Sequence, residues 1–326
     1  MTINGQSEQD RAQLRWGVYC ILIALAAGSM IGRILSVDSV DYLHTQKQFA
    51  KDNKPRIIMR PFLSSNDRSR WCTIRSLAEF GTYEIDPILF TPESLKASRD
   101  SQKKGTASNA SRRYPKRNPG WDTIDKVRHK NRDGEMRFYS SKPPLLPTLL
   151  AGEYWLISAL TGATLEESPY DIARFMLITV NVIPLILAFV LLAKMVERLG
   201  TTDWGRIFVM AAATFATFLT TFSVVINNHI PAAVSVTVAM YAAVKIIFDD
   251  ERRLRYFAMA GFFAAFTAAN ELPALSFLVA LAAALLWKAP KPTLSAFLPA
   301  ARHRVSKGAC PCAHAMFWDR CVAVGA

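Results

Sequence analysis

Two short stretches hold side chains whose types and spacing suit chemistry. The first is Asn66-Asp67-Arg68-Ser69-Arg70-Trp71-Cys72-Thr73-Ile74, continued by Leu77 and Phe80. Trp71, Ile74, Leu77 and Phe80 recur at helical spacing, which predicts a short amphipathic helix able to lie on a membrane, with Asp67 at its start. A carboxylate in that place has a bland explanation as a helix cap. The second stretch, Tyr139-Ser140-Ser141-Lys142-Pro143-Pro144-Leu145, sets one cation directly before a proline-stiffened apolar helix. An ammonium at that depth either snorkels to the interface or holds a lipid phosphate. Cys310, Cys312 and His314 bring metal to mind, but CxCxH without a fourth ligand is a weak signal.

The elements that must position these groups belong to a membrane. The 326 residues are 51% hydrophobic, yet mean hydropathy is only +0.15, so very apolar stretches are averaged with a polar one. Residues 16–37 and 172–287 are apolar, whereas 38–142 carry most of the charge. This predicts an all-α, polytopic membrane helix bundle of about six spans with a large extracytoplasmic loop carrying amphipathic juxtamembrane helices. Residues 1–37 form the N-terminus and first span, an uncleaved signal anchor. Residues 38–171 form the loop, 172–290 a five-span bundle, and 291–326 an atypical tail that reads as frameshifted. The net charge of +13 sits in the loop and at span ends, so membrane electrostatics explains it and nucleic acid is not expected. No P-loop, GxGxxG or zinc-spaced set occurs, which argues against an ATP-driven pump or a dinucleotide enzyme.

The runs 172–193, 207–226, 231–248, 256–270 and 274–287 are joined by turns of alternating character. Lys194, Arg198 and Arg206, then Arg252, Arg253 and Arg255, then Lys288 and Lys291 mark basic turns; Asn227–His229 and Asn270–Pro273 contain no Lys or Arg. The positive-inside rule puts the basic turns and the N-terminus in the cytoplasm and the neutral turns outside, in an inner (plasma) membrane. The loop must then begin and end outside, so 143–160, with Pro147 and Glu153, is expected not to cross but to be interfacial or re-entrant. Within the loop, residues 96–117 hold eight Lys or Arg against one Asp and read as a flexible insertion.

In order and rough spacing the loop resembles the first extracytoplasmic loop of GT-C glycosyltransferases, notably lipid A aminoarabinose transferases and protein O-mannosyltransferases. Asp67, Arg70, Trp71 and Ile74 match the first part of that pattern, Gly81 and Tyr83 the middle, and Lys142, Pro143 and Pro144 the last. Arg68 departs from it, standing where the family usually has a second acidic residue. The resemblance implies transfer of a sugar from a polyprenyl-phosphate donor to an acceptor on the outer face. Asp67 would be the catalytic base and Lys142 the donor-phosphate clamp, with Arg68 and Arg70 as helpers. Asp86, Trp121, Asp122, Asp125, Asn228, His229 and Glu271 would be substrate contacts. The implied partners are the lipid-linked sugar and membrane lipids; no cofactor is certain and no metal ligand is assigned, though a divalent metal is compatible with the chemistry. GT-C enzymes usually continue with further spans, so the chain reads as the front half of one. A non-catalytic membrane fragment or assembly subunit is the alternative reading, and a transporter the third.

Overall fold

A computed structural model describes residues 2–51, 62, 64–96, 116–118 and 120–302. Helix α1, Thr2–Lys51, is 50 residues long and so extends well past residue 37, where the loop was expected to begin. The cause is visible in the sequence: after Gly32 neither glycine nor proline occurs before Pro55, so nothing stops the helix. Helix α2, Ser65–Phe80, starts where the Ser64 hydroxyl accepts the Asp67 N–H at 3.5 Å, and stops at Gly81, whose φ of +66° suits glycine. The short α3 is Asp86–Leu89.

An antiparallel hairpin of β1, Lys126–Lys130, and β2, Met136–Ser140, follows, in register Lys126↔Ser140 to Lys130↔Met136. This is a correction to the all-α reading, although the described chain remains mostly helical. Asp133-Gly134 was the available signal: Gly134 adopts φ +78° and Asn131 Oδ1 accepts the N–H groups of Asp133 and Glu135.

Helix α4, Leu145–Thr161, ends at Gly162. Helices α5, Pro169–Leu177, and α6, Ile183–Leu199, run on through a π-helical turn at Ile178–Val182. That turn lies just ahead of Pro184, which cannot donate a helical hydrogen bond and would crowd the carbonyl four residues back. Helix α7, Asp203–Phe215, breaks near Thr214 and Thr217, whose hydroxyls bond back to Met210 O and Ala213 O, and α8, Leu219–Phe222, completes the stretch. Helices α9, His229–Ile247, α10, Leu254–Asn270, and α11, Leu275–Lys288, follow. Four helical stretches among the described residues are long and apolar enough to cross a membrane: Glu8–Ser36, Pro169–Leu199, Asp203–Phe222 and His229–Ile247. Leu145–Thr161 and Leu272–Lys288 are shorter apolar helices.

The chain forms two compact units. One comprises Met1–Ser29, Asn181–Thr221 and Asn228–Ala326. Its core lies where α9 meets α10, with Ala239, Ala242 and Ala243 facing Phe257, Ala260 and Ala264. Small residues let helix backbones approach closely, which is how spanning helices associate when apolar burial offers no advantage over lipid. A π turn at Thr293–Phe297 packs back on α10 so closely that a Cβ on Gly261 would collide with Phe297 O. Packed structure therefore reaches Ala301, beyond the expected start of the tail at 291.

The ends of this unit are chemically distinct. At one, Arg15 grips both carboxylate oxygens of Glu197 at 2.9 and 2.8 Å and reaches Asp203 at 2.6 Å, while Tyr19 donates to Glu197 at 2.7 Å. Arg198 and Lys245 meet at Asp249, and Lys288 and Arg252 at Asp250. At the other, Asn228 Nδ2 donates to Asn270 O at 3.1 Å, and His229 lies 2.9 Å from Glu271. Basic turns are thus gathered together and neutral turns together. Arg15, near the start of α1, thus meets Glu197, near the end of α6.

The second unit comprises Met30–Val180 and Phe222–Asn227. Its centre is α2, buried from Asp67 through Ser76. That corrects the expectation of an amphipathic helix lying on a surface. Trp71 stacks on Phe62 at 4.7 Å, Arg75 lies over the Trp121 ring, and α4 covers another side, with the Tyr154 hydroxyl donating to Glu79 at 2.7 Å. The three arginines of α2, Arg68, Arg70 and Arg75, are buried with it, which explains why the apolar spacing alone misled: their heads are satisfied inside the unit.

Candidate functional site

Asp67 occupies the first turn of α2, but the helix is capped by Ser64, which leaves its carboxylate available for another task. That task is tertiary. Asp67 Oδ1 accepts the backbone N–H of Ile226 at 2.8 Å, from the short segment between α8 and α9. The residue is 4% exposed. Burial pushes its pKa up to about 7, against the opposing pull of the Ile226 N–H, the Arg70 and Arg68 charges and the nearby Trp71 indole. The Trp71 N–H itself makes no hydrogen bond of good geometry, so its influence is that of proximity.

The two neighbouring arginines differ in use. Arg68 donates to Phe62 O at 3.2 and 2.9 Å and to Asp122 O at 2.5 Å, tying the chain ahead of α2 to the segment before β1. Arg70 donates to the Asn66 side chain at 2.5 Å, one turn back. Both lie buried beside Asp67.

Lys142 is drawn to the same helix by a chain of small groups. Its backbone N–H donates to Ser140 Oγ at 3.2 Å, Ser140 and Ser69 share a hydrogen bond of 2.7 Å, and the Ser69 hydroxyl donates to Asp125 O at 2.5 Å. The Lys142 ammonium then pairs with Asp125 Oδ1 at 2.9 Å. Asp67 and Lys142 are therefore both anchored through the first turns of α2, Asp67 directly and Lys142 through Ser69, but each ion has its own partner. Ser69, Ser140 and the Ile226 N–H were not singled out in the sequence. Ser69 lies two residues from Asp67, a hint without force; nothing local marks Ile226.

The other anticipated substrate contacts separate. Asp86 is buried and accepts the Phe138 N–H at 2.7 Å, which joins α3 to β2; burial raises its pKa and that hydrogen bond opposes the rise. Trp121 packs against Phe62 and under Arg75. Asp122 lies between Lys126 at 2.9 Å and Arg117 at 3.0 Å; burial raises its pKa, but the two cations outweigh it and the net shift is downward. These three hold the unit together. Asn228, His229 and Glu271 belong to the other unit, as described.

No family model matches the chain, nor does any curated protein or solved structure.

Among the described residues no group of three or more His, Cys, Asp or Glu side chains is arranged to hold a metal ion. Cys310, Cys312 and His314 lie outside the described residues, as does most of the basic insertion at 96–117. What the arrangement offers chemically is a buried carboxylate that titrates near neutrality and a partly exposed ammonium whose stem can swing. The first can accept a proton and the second can hold an anion.

Proposed function

We propose that this chain is a multi-pass membrane glycosyltransferase of the GT-C type, using a polyprenyl-phosphate sugar and an acceptor on the outer face of an inner (plasma) membrane, with its N-terminus cytoplasmic. The observation that carries the reading is Asp67: a carboxylate with a pKa of about 7, held on a helix whose next turns also anchor the segment bearing Lys142. In the reaction the acceptor hydroxyl attacks the anomeric carbon as the bond to the phosphate oxygen breaks; the bonding pair leaves on the phosphate, and the hydroxyl proton passes to Asp67. A base with a pKa near ambient pH is suited to that step. Charge growing on the phosphate is offset by Lys142.

The alternative, a membrane protein that keeps the architecture without turnover, draws on a different observation. Asp67 is enclosed and hydrogen-bonded to Ile226, and Arg68 is committed to backbone carbonyls. Donor binding and transfer measured on wild type, Asp67→Asn and Lys142→Ala in one nanodisc preparation distinguish the two. On the enzymatic reading Asp67→Asn abolishes transfer and leaves donor binding mostly intact, whereas Lys142→Ala weakens both. Undiminished transfer by Asp67→Asn favours the alternative.

A further inference from the structure

The ion pair between Lys142 and Asp125 has a form that a structural staple does not need. Its two backbones are fixed: Asp125 O receives the Ser69 hydroxyl and the Ser141 N–H, and the Lys142 N–H is bound to Ser140. Its two side chains keep access to solvent, with relative exposures of 21% for Lys142 and 27% for Asp125. The adjacent carboxylate, Asp122, is already matched by Lys126 and Arg117, and among the described residues Asp125 has Lys142 as its ion-pair partner and Lys142 has Asp125. The pair can therefore open by side-chain rotation, with no change in the hairpin or in α2.

We infer that Asp125 is a counter-ion gate on Lys142: it occupies the ammonium until a phosphate displaces it, and it thereby favours doubly charged phosphate monoesters over singly charged phosphodiesters. This rests on the reading of Lys142 as the phosphate-binding cation. A carboxylate–ammonium pair open to solvent on one side is held less firmly than an enclosed one, so an anion of higher charge can replace the carboxylate. A phosphate monoester carries about −1.5 to −2 at pH 7 and outcompetes a single carboxylate charge. A diester carries one charge and competes on nearly equal terms. During transfer from a lipid phosphodiester the leaving phosphate gains its second charge as the bond breaks. The gate then yields most fully in the transition state, where the ammonium is of most use.

The test uses the full chain in neutral-lipid nanodiscs, with dodecyl phosphate as the monoester, didodecyl phosphate as the diester and dodecanol as the partition control. Wild type is expected to bind the monoester more tightly. Asp125→Asn should tighten diester binding about threefold to tenfold and narrow the monoester preference, while Asp125→Glu, which keeps the charge, should retain it. Lys142→Ala should weaken both phosphates. An unchanged preference in Asp125→Asn, with Lys142→Ala still impaired, overturns the gate alone. Wild-type binding by Lys142→Ala overturns the underlying phosphate reading. Inorganic phosphate is added as competitor to identify the source. Displacement of the dodecyl probe supports the gate with free anion as ligand, and failure to displace it supports the gate with a lipid headgroup.

Discussion

Replacing Asp67 by asparagine should make the protein more stable at neutral and alkaline pH and, on the proposed glycosyltransferase reading, abolish transfer. An ordinary carboxylate titrates near 3.8, whereas burial carries Asp67 to about 7. Between those values the folded state holds a proton that the unfolded chain has released, so the free energy of unfolding falls as pH rises from about 4 to about 7 and is level above that. Each tenfold displacement is worth about 1.36 kcal/mol, so the ionised carboxylate opposes folding by on the order of 4 kcal/mol at pH 8. The attractions of Arg70, Arg68 and the Ile226 N–H are already contained in the value of about 7. An asparagine Oδ1 can still accept the Ile226 N–H, keeps the shape and does not titrate. Unfolding in nanodiscs, followed by circular dichroism at pH 4, 5, 6, 7 and 8, should show the two proteins alike at the acid end. They should diverge through the window, with the variant more stable by up to about 4 kcal/mol at pH 8. A variant with the same pH dependence as wild type, or less stable at pH 8, would refute the assignment of a strained, buried carboxylate. The same preparation assayed for transfer tells whether that strain is kept for function, since residues that break local rules at a cost in stability cluster at active sites.

Other perturbations probe the frame around it. Gly261→Ala should destabilise the protein by about 1–3 kcal/mol because the new Cβ meets Phe297 O, whereas Gly28→Ala, with open space around its Cβ, should be neutral or slightly stabilising; thermal unfolding in detergent compares them. Arg15→Ala leaves the Glu197 carboxylate with Tyr19 as its hydrogen-bond donor and only the more distant charge of Arg206, and should cost about 1–3 kcal/mol, much of it recovered by adding Glu197→Gln, read by the same melts. Single cysteines in a cysteine-free background should label with an impermeant reagent from outside intact cells at positions 228 and 271 and not at 198, 253 or 288. Labelling at 198 alone would break the grouping of the basic turns.

What the sequence determined by itself is what depends on neighbours along the chain. Apolar runs long enough to cross a membrane, the alternation of basic and neutral turns, and a helix around Asp67 follow from composition and spacing, and α2, α6, α9 and α10 form where those patterns lie. The paired ends of the helical unit follow too: once the runs are helices, joined by short turns, successive turns must fall at opposite ends. The extension of α1 to Lys51 and the Asp133-Gly134 hairpin were written there as well, in the lack of a breaker and in a turn pair. Tertiary structure alone decided which ions meet. Asp67 finds the Ile226 N–H 159 residues later, and Lys142 finds Asp125 only because the hairpin folds Ser140 back onto Ser69. Such pairings depend on how the chain closes in space, which local periodicity does not encode. The same closure buries α2 on all sides, and that burial moves the Asp67 carboxyl from an ordinary acid to a group that titrates near neutrality.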